Sequence, residues 1–228
     1  MRNKINSLLA LIIITLVLVY GSKFMPEVFF NERREYQFLE WIQTIILLIC
    51  ISLHFQYRKL FIRISNLFTF LIRQSFLLFI LFEELSFLSI RINRMFFNKN
   101  LSPYNVQQEF NFHNTFFFQS QLFSLNIPLT DITFTLHLNT LVIVLILFFI
   151  GYGSYFSFFK RIKYFFLDRN FSYFTLILIV NYMLTSFGLT FSDRYDKSVI
   201  VGEMSELFFY LLLLLDTLKK RRIMNEMH

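Results

Sequence analysis

A chain with one cysteine cannot close a disulfide on itself. Cys50 is the only cysteine among 228 residues and lies inside an apolar run, which excludes a disulfide framework and any Cys-x-x-Cys redox or zinc motif. Glycine and proline are scarce, five and three residues. No Gly-rich phosphate loop, dinucleotide-binding turn or nucleophile elbow can be drawn from them. Charge is scarce too: 16% of residues are Asp, Glu, Lys or Arg, against about 25% in an ordinary soluble domain. The four histidines, His54, His113, His137 and His228, are scattered. His54 falls at the inner end of one hydrophobic block and His137 at the outer end of another, so a membrane thickness of about 30 Å separates them. They cannot share a haem iron or a metal. A redox centre, metal site or hydrolytic site held by this chain alone is excluded, and the sequence offers no catalytic residue.

What the chain has is hydrophobic length. Fifty-six per cent of it is hydrophobic, with 34 Phe, an abundance that suggests the codon usage of an AT-rich genome such as an organellar one. The apolar residues fall into blocks near the roughly 20 residues that a helix needs to cross hydrocarbon. Six are read: about 5–20, 38–55, 75–92, 138–158, 171–187 and 199–215. The expected fold is therefore all-α, a polytopic transmembrane helix bundle of about six spans. It forms a single domain, 1–228, with one long polar loop at about 98–135 holding Pro103 and Pro128. Arg2 and Lys4 before the first block suggest a signal peptide; without a small-x-small cleavage site, a retained first helix is expected. Trp41 suits an interfacial anchor, and Gly151 and Gly153 suit close approach of a neighbouring helix.

The net charge of +7 does not point to nucleic acid, because the basic residues flank apolar blocks. Counted by side, the N-terminus, the second and fourth loops and the C-terminus carry fourteen: Arg2, Lys4, Arg58, Lys59, Arg63, Arg73, Lys160, Arg161, Lys163, Arg169 and Lys219 to Arg222. The other side carries eight: Lys23, Arg33, Arg34, Arg91, Arg94, Lys99, Arg194 and Lys197. By the positive-inside bias the N-terminus faces the cytoplasm or matrix and the long loop faces away.

Glu83 and Glu84 are the sharpest feature. They stand about ten residues past Arg73, roughly 15 Å along a helix, and so at mid-membrane, where a carboxylate costs at least ~2.5 kcal/mol. One reading is a packing contact; the other is a proton-exchanging or lipid-contacting carboxylate. Consecutive positions point about 100° apart, so both are not expected to face one partner. Arg91 and Arg94 are expected to snorkel. Glu203 and Glu206 share a helix face, and Asn181, Thr185 and Ser186 suit interhelical hydrogen bonds. Lys160, Arg161 and Lys163 read as a topology signal or a cardiolipin headgroup site.

Several segments, in order, resemble subunit III of cytochrome c oxidase. Phe55-Gln56-Tyr57-Arg58-Lys59-Leu60-Phe61-Ile62-Arg63 stands where that family ends its second helix in a Tyr-Gln-Trp-Trp-Arg-Asp-Val-Ile-Arg-like stretch. Arg73, Leu78-Phe79-Ile80 and Glu83 repeat the family's Arg ten residues before a buried Glu. Leu101-Ser102-Pro103, Leu125-Asn126-Ile127-Pro128 with Leu138-Asn139-Thr140, and Leu189-Thr190-Phe191-Ser192-Asp193 with Ser198 follow in the family's order. The family's second-helix tryptophans are Tyr57 and Arg58 here, its Gly-x-His-x-x-His pattern is missing near Gly202, and no seventh helix follows. The resemblance implies a non-redox accessory core subunit of mitochondrial complex IV, in the respiratory electron-transport chain. Such a subunit is multi-pass in the inner membrane with its N-terminus in the matrix, beside the haem-bearing catalytic subunit. It implies no cofactor on this chain, but structural phospholipids, cardiolipin or phosphatidylethanolamine, and support of proton uptake by the neighbour. It casts Glu83, or Glu84, as the buried carboxylate and Lys59, Arg63 and Arg73 as lipid-binding residues. The alternatives are a proton-translocating membrane subunit of complex I or ATP synthase, suggested by Lys163-Tyr164-Phe165 and Leu88-Ser89-Ile90-Arg91, or a lineage-specific structural membrane subunit.

Overall fold

The computed structural model describes residues 37–85, 117, 120–126, 133–186 and 195–226. The first apolar block, most of the long loop, Arg91, Arg94, His113 and His228 lie outside them. Most of what is described is helix. Helix α1, Gln37–Gln56, is followed by short α2, Arg58–Ile64, and by α3, Leu67–Glu84. A two-stranded antiparallel hairpin, β1 Gln121–Asn126 and β2 Thr133–His137, precedes α4, Leu138–Tyr152. Three 3-10 segments, Gly153–Tyr155, Ser157–Phe165 and Arg169–Phe171, lead to α5, Ser172–Ser186, and α6, Tyr195–Glu226.

The five long helices alternate in direction. Helix α1 packs on α3 and α6, α6 on α5, and α5 on α4. Among the described residues one segment, Leu138–Tyr155, is long and apolar enough by itself to cross a membrane, and Trp41–Gln56 is a shorter apolar helix.

Three boundaries differ from those read in the sequence, each for a physical reason. Helix α3 begins at Leu67, not near 75, because Asn66 caps it by accepting from the Thr69 N–H at 2.7 Å, and because Arg73 is no boundary. Its guanidinium is buried and paired, so the apolar run continues through it. Helix α6 runs to Glu226, well past 215, since two of the polar residues after Leu215, Asp216 and Lys220, turn into the protein as well. The fourth block leaves α-helical geometry after Tyr152. The hairpin is a further departure, a strand pair in the stretch read as loop. Thr133-Phe134-Thr135-Leu136 alternates polar and apolar side chains with period two, which suits a strand and not a helix.

Gly151 and Gly153 meet neighbours at very short range, but different ones. A Cβ on Gly151 would collide with Thr175 of α5, and one on Gly153 with the Phe166 ring. The first is a helix–helix approach. The second is the chain folding back under its own bundle: Leu167 N donates to Ile150 O at 3.0 Å, and Phe165, Phe166 and Leu167 are buried in the core that also holds Leu47, Leu77, Ile150 and Leu213. Residues 153–171 thus form a cap over one end of the bundle, with Phe166 edge-on to Phe149 and Phe165.

Candidate functional site

Polar and charged side chains are buried beside the hydrophobic core, while many large apolar ones face outward. At the capped end Arg73, Asp216 and Lys220 are 2%, 0% and 6% exposed. The Arg73 guanidinium donates to Asp216 Oδ2 at 2.7 Å and to Thr217 Oγ1 at 3.1 Å, and to the carbonyls of Tyr164 at 3.0 Å and Phe165 at 3.2 Å. Lys220 spends three donors on Asp216 Oδ2 at 2.7 Å, Phe166 O at 2.6 Å and Tyr164 O at 3.0 Å. The second oxygen of Asp216 accepts from the Asp168 N–H at 2.8 Å. Two cations and one carboxylate thereby satisfy three carbonyls and an N–H of a loop that has no ladder of its own. Buried charge is tolerated when it is paired and hydrogen-bonded, and this cluster comes close to that condition, with Arg73 Nε left without a partner, by clamping the cap to α3 and α6.

One step outward, Lys219 pairs with Asp168 at 2.8 Å. Partial burial pushes the Asp168 carboxyl up, but the Lys219 ammonium and the Asn170 N–H outweigh it and hold Asp168 below the ordinary carboxylate range. His54 is fully buried in the last turn of α1. It is stacked on Phe70 with centroids 4.7 Å apart, edge-on to Phe61, and linked through Nδ1 to Gln74 Oε1 at 2.7 Å.

The other half of the bundle is looser. A cavity of about 200 Å³ opens between α3 and α4, floored by α5 and α6. Phe76, Phe79, Ile80, Val142, Ile146 and Leu147 are among its apolar walls, and Glu83, Glu84, Asn139, Tyr182, Ser205 and Glu206 stand among its polar lining. Glu84 accepts a short hydrogen bond from Tyr210, and Tyr182 donates to Glu206 at 3.0 Å. Glu83 and Glu84 both line this one cavity, because α3 ends there, at Leu85, and the space beside its last turn is bounded by several helices. Chemically the cavity is an apolar slot with carboxyl and phenol groups grouped in its lining. It suits a flexible aliphatic chain or a protonatable relay.

Of the lipid-binding residues implied by the resemblance, Lys59 and Arg63 are exposed on α2. Arg73 is not with them: it is buried, and its two terminal nitrogens donate to Asp216, Thr217 and the cap carbonyls. In this arrangement it clamps the cap to α3 and α6. Glu206 is brought to the cavity. Asn181 is buried and donates to Ile177 O at 2.9 Å. The side chains of Glu203, Thr185 and Ser186 lie outside the described residues. The sequence reading missed Asp216 and Lys220 as interior residues. The signal was there: an acid at the end of a five-Leu run, with a lysine four positions on and therefore on the same helix face.

Among the described residues no group of three or more His, Cys, Asp or Glu is placed to hold a metal ion. Compared with models of known protein families, with curated proteins and with solved structures, the chain matches none.

Proposed function

We propose that this chain is a multi-pass membrane protein, a non-redox accessory subunit that holds a lipid chain in its carboxyl-bearing cavity. The single observation that carries this reading is the inverted distribution of polarity. Arg73, Asp216, Lys220, His54, Gln43 and Asn181 are buried, while Phe68, Phe82, Phe55 and Leu145 are 64%, 71%, 55% and 56% exposed. Soluble monomers rarely expose large contiguous apolar surface, and ionisable residues in membrane bundles face the interior and pair there. Helix α1, α3, the stretch from α4 into the first 3-10 turn, and α6 have 18 to 32 residues each, lengths that suit a span of hydrocarbon.

Depth supports a role for the carboxylates. Tyr210, which holds Glu84, lies nine positions before Lys219, about 14 Å along α6. That is close to half of a hydrocarbon core of about 30 Å, measured from the basic end. A carboxyl at this depth beside a lipid-sized slot is suited to buffering a proton or seating a lipid.

The ordered resemblance to oxidase subunit III supports one partner for this reading: the haem–copper catalytic subunit of the mitochondrial inner membrane, with the capped, basic end of the bundle in the matrix. Two measurements test the two levels separately. Alkaline carbonate extraction should leave the chain in the membrane pellet; release into the supernatant refutes the membrane reading. After native separation of solubilised complexes, the chain should travel with haem a absorbance and oxidase activity. Migration with NADH dehydrogenase or ATPase activity, or apart from all of them, refutes the oxidase partner while leaving the membrane reading intact.

A further inference from the structure

The cap has a second face. In the 3-10 segment Ser157–Phe165, Phe159, Ile162 and Phe165 pack on the core, while Lys160, Arg161 and Lys163 are exposed. Phe158, just before them, is 88% exposed, and Tyr155 and Phe156 are about half exposed, 48% and 50%. This is a shelf of exposed aromatic rings followed by cations.

It does not stand alone. The carbonyl of Arg161 accepts from Asn66 Nδ2 at 3.1 Å and from Thr69 Oγ1 at 3.3 Å. These bonds dock the shelf at the corner between α2 and α3, where Arg58 and Lys59 are exposed. Neither stretch, 54–73 or 153–167, contains a single acidic residue. The surrounding cations lie over rings: Arg58 over Phe55 at 4.7 Å, Lys163 over Tyr164 at 5.3 Å and Arg169 over Tyr155 at 4.8 Å. Aromatic rings mixed with Lys and Arg are the composition of a membrane–water boundary. A basic cluster there attracts anionic headgroups.

We propose that the 155–163 shelf, docked on the α2–α3 corner, is a binding site for an anionic phospholipid. Phe158 is inserted among the acyl chains, and Lys160, Arg161 and Lys163 hold the phosphate. The proposal rests on the membrane reading above and adds a headgroup class and a place. The apolar rings decide between sources of phosphate: a free anion gains nothing from an 88% exposed Phe, and a lipid does. The site is separate from the cavity, which lies at the opposite half of the bundle.

The test uses the full chain reconstituted in phosphatidylcholine bilayers, with spin-labelled phosphatidylglycerol or spin-labelled phosphatidylcholine as reporter. The motionally restricted fraction of each label is measured. The wild-type chain should prefer the anionic label by about fivefold, the worth of one well-placed cation at the surface. K160Q/R161Q/K163Q should bring the ratio to about one. R222Q, which removes an exposed cation already paired with Glu226, should leave the ratio unchanged. Sodium phosphate and sodium chloride at equal ionic strength should weaken the preference equally. Restricted lipid of both kinds without preference, or a preference that survives the triple substitution, overturns the site but not the membrane reading. Selective displacement by inorganic phosphate also overturns it, in favour of a free-anion pocket. Absence of any restricted lipid overturns both.

Discussion

Removing the Asp216 carboxylate should loosen the whole bundle, and the chain carries its own reporter of that event. In Asp216→Ala, Arg73 and Lys220 remain buried at 2% and 6% exposure with no counter-charge, and the Asp168 N–H loses its acceptor. Breaking a buried ion pair from one side costs about 3–5 kcal/mol, and an orphaned N–H adds about 1–3 kcal/mol where water cannot reach it. Cys50 is the single cysteine and is fully buried on α1, so its reaction with a thiol reagent follows opening of the core. When reclosing outruns labelling, the rate tracks the opening equilibrium, and at a factor of ten per ~1.4 kcal/mol the variant should label at least on the order of 1,000-fold faster. A companion variant sharpens the reasoning. Arg73→Met/Asp216→Leu/Lys220→Met removes every charge, a change that is often neutral for a buried ion cluster. Here the cations also satisfy the carbonyls of Tyr164, Phe165 and Phe166, so the triple variant should recover only part of the protection. Less than about threefold acceleration in Asp216→Ala, or full recovery in the triple variant, would show that the cluster does not clamp the cap.

Three further outcomes are expected. Gly151→Ala should destabilise the α4–α5 contact by about 1–3 kcal/mol, the usual range for overpacking. Adding Thr175→Gly should restore part of it, since the three atoms nearest the new Cβ all belong to Thr175; equal Cys50 labelling in the single and double variants would contradict this. A hydrophobic carbodiimide should modify Glu83 or Glu84 in the apolar cavity, more readily once Tyr210→Phe removes the Glu84 hydrogen bond. Mass mapping that finds only exposed Glu226 modified would count against a protonatable carboxyl there. Asp168 has a folded-state pKa held below its unfolded value near 3.8, so its stabilisation is present above that value and is lost as pH falls through the lower folded one. Circular dichroism melts of wild type and Asp168→Asn should therefore converge as pH drops below about 4 and differ modestly at neutral pH, since the pair is about 30% exposed on each side.

Helix existence was legible in the sequence where apolar runs are long: α1, α4 and α5 lie within a few residues of the blocks at 38–55, 138–158 and 171–187. The errors occurred where charge was taken as a boundary. Arg73 and Lys220 look like the usual basic flanks of a span. For Lys220 the acid four residues before it is a local sign of an interior pair, whereas for Arg73 the distinction lies in a partner 143 residues away, which no local pattern encodes. The cap was illegible for a related reason. A segment such as Ser157–Phe165 has a helix-like spacing, with Phe159, Ile162 and Phe165 turned to the core, but it is short and basic, and its place under the bundle depends on α3 and α6, which supply donors for its carbonyls. Glu83 and Glu84 were legible as unusual, being acids in an apolar run, but their shared cavity depends on where α4 stands.

The two ends of the bundle solve opposite problems with the same residue types. At the capped end, Asp216 is matched by two cations, and the space between α3 and α6 is filled by Phe165, Phe166 and Leu167. Charge there gives rigidity. At the cavity end, Glu83, Glu84 and Glu206 meet the phenols of Tyr182 and Tyr210 beside an unfilled slot, so carboxyl groups are placed next to a volume that another molecule or a proton can use. Elements that change occupancy are drawn from the less densely packed part of a fold, and the clamp explains why one half can be open without the bundle separating. Function is therefore expected to follow substitutions at the cavity with little change in Cys50 protection, while substitutions in the clamp change protection first. A cavity variant such as Glu84→Gln that lost Cys50 protection as fully as Asp216→Ala would remove that division and return both groups of charges to a common packing role.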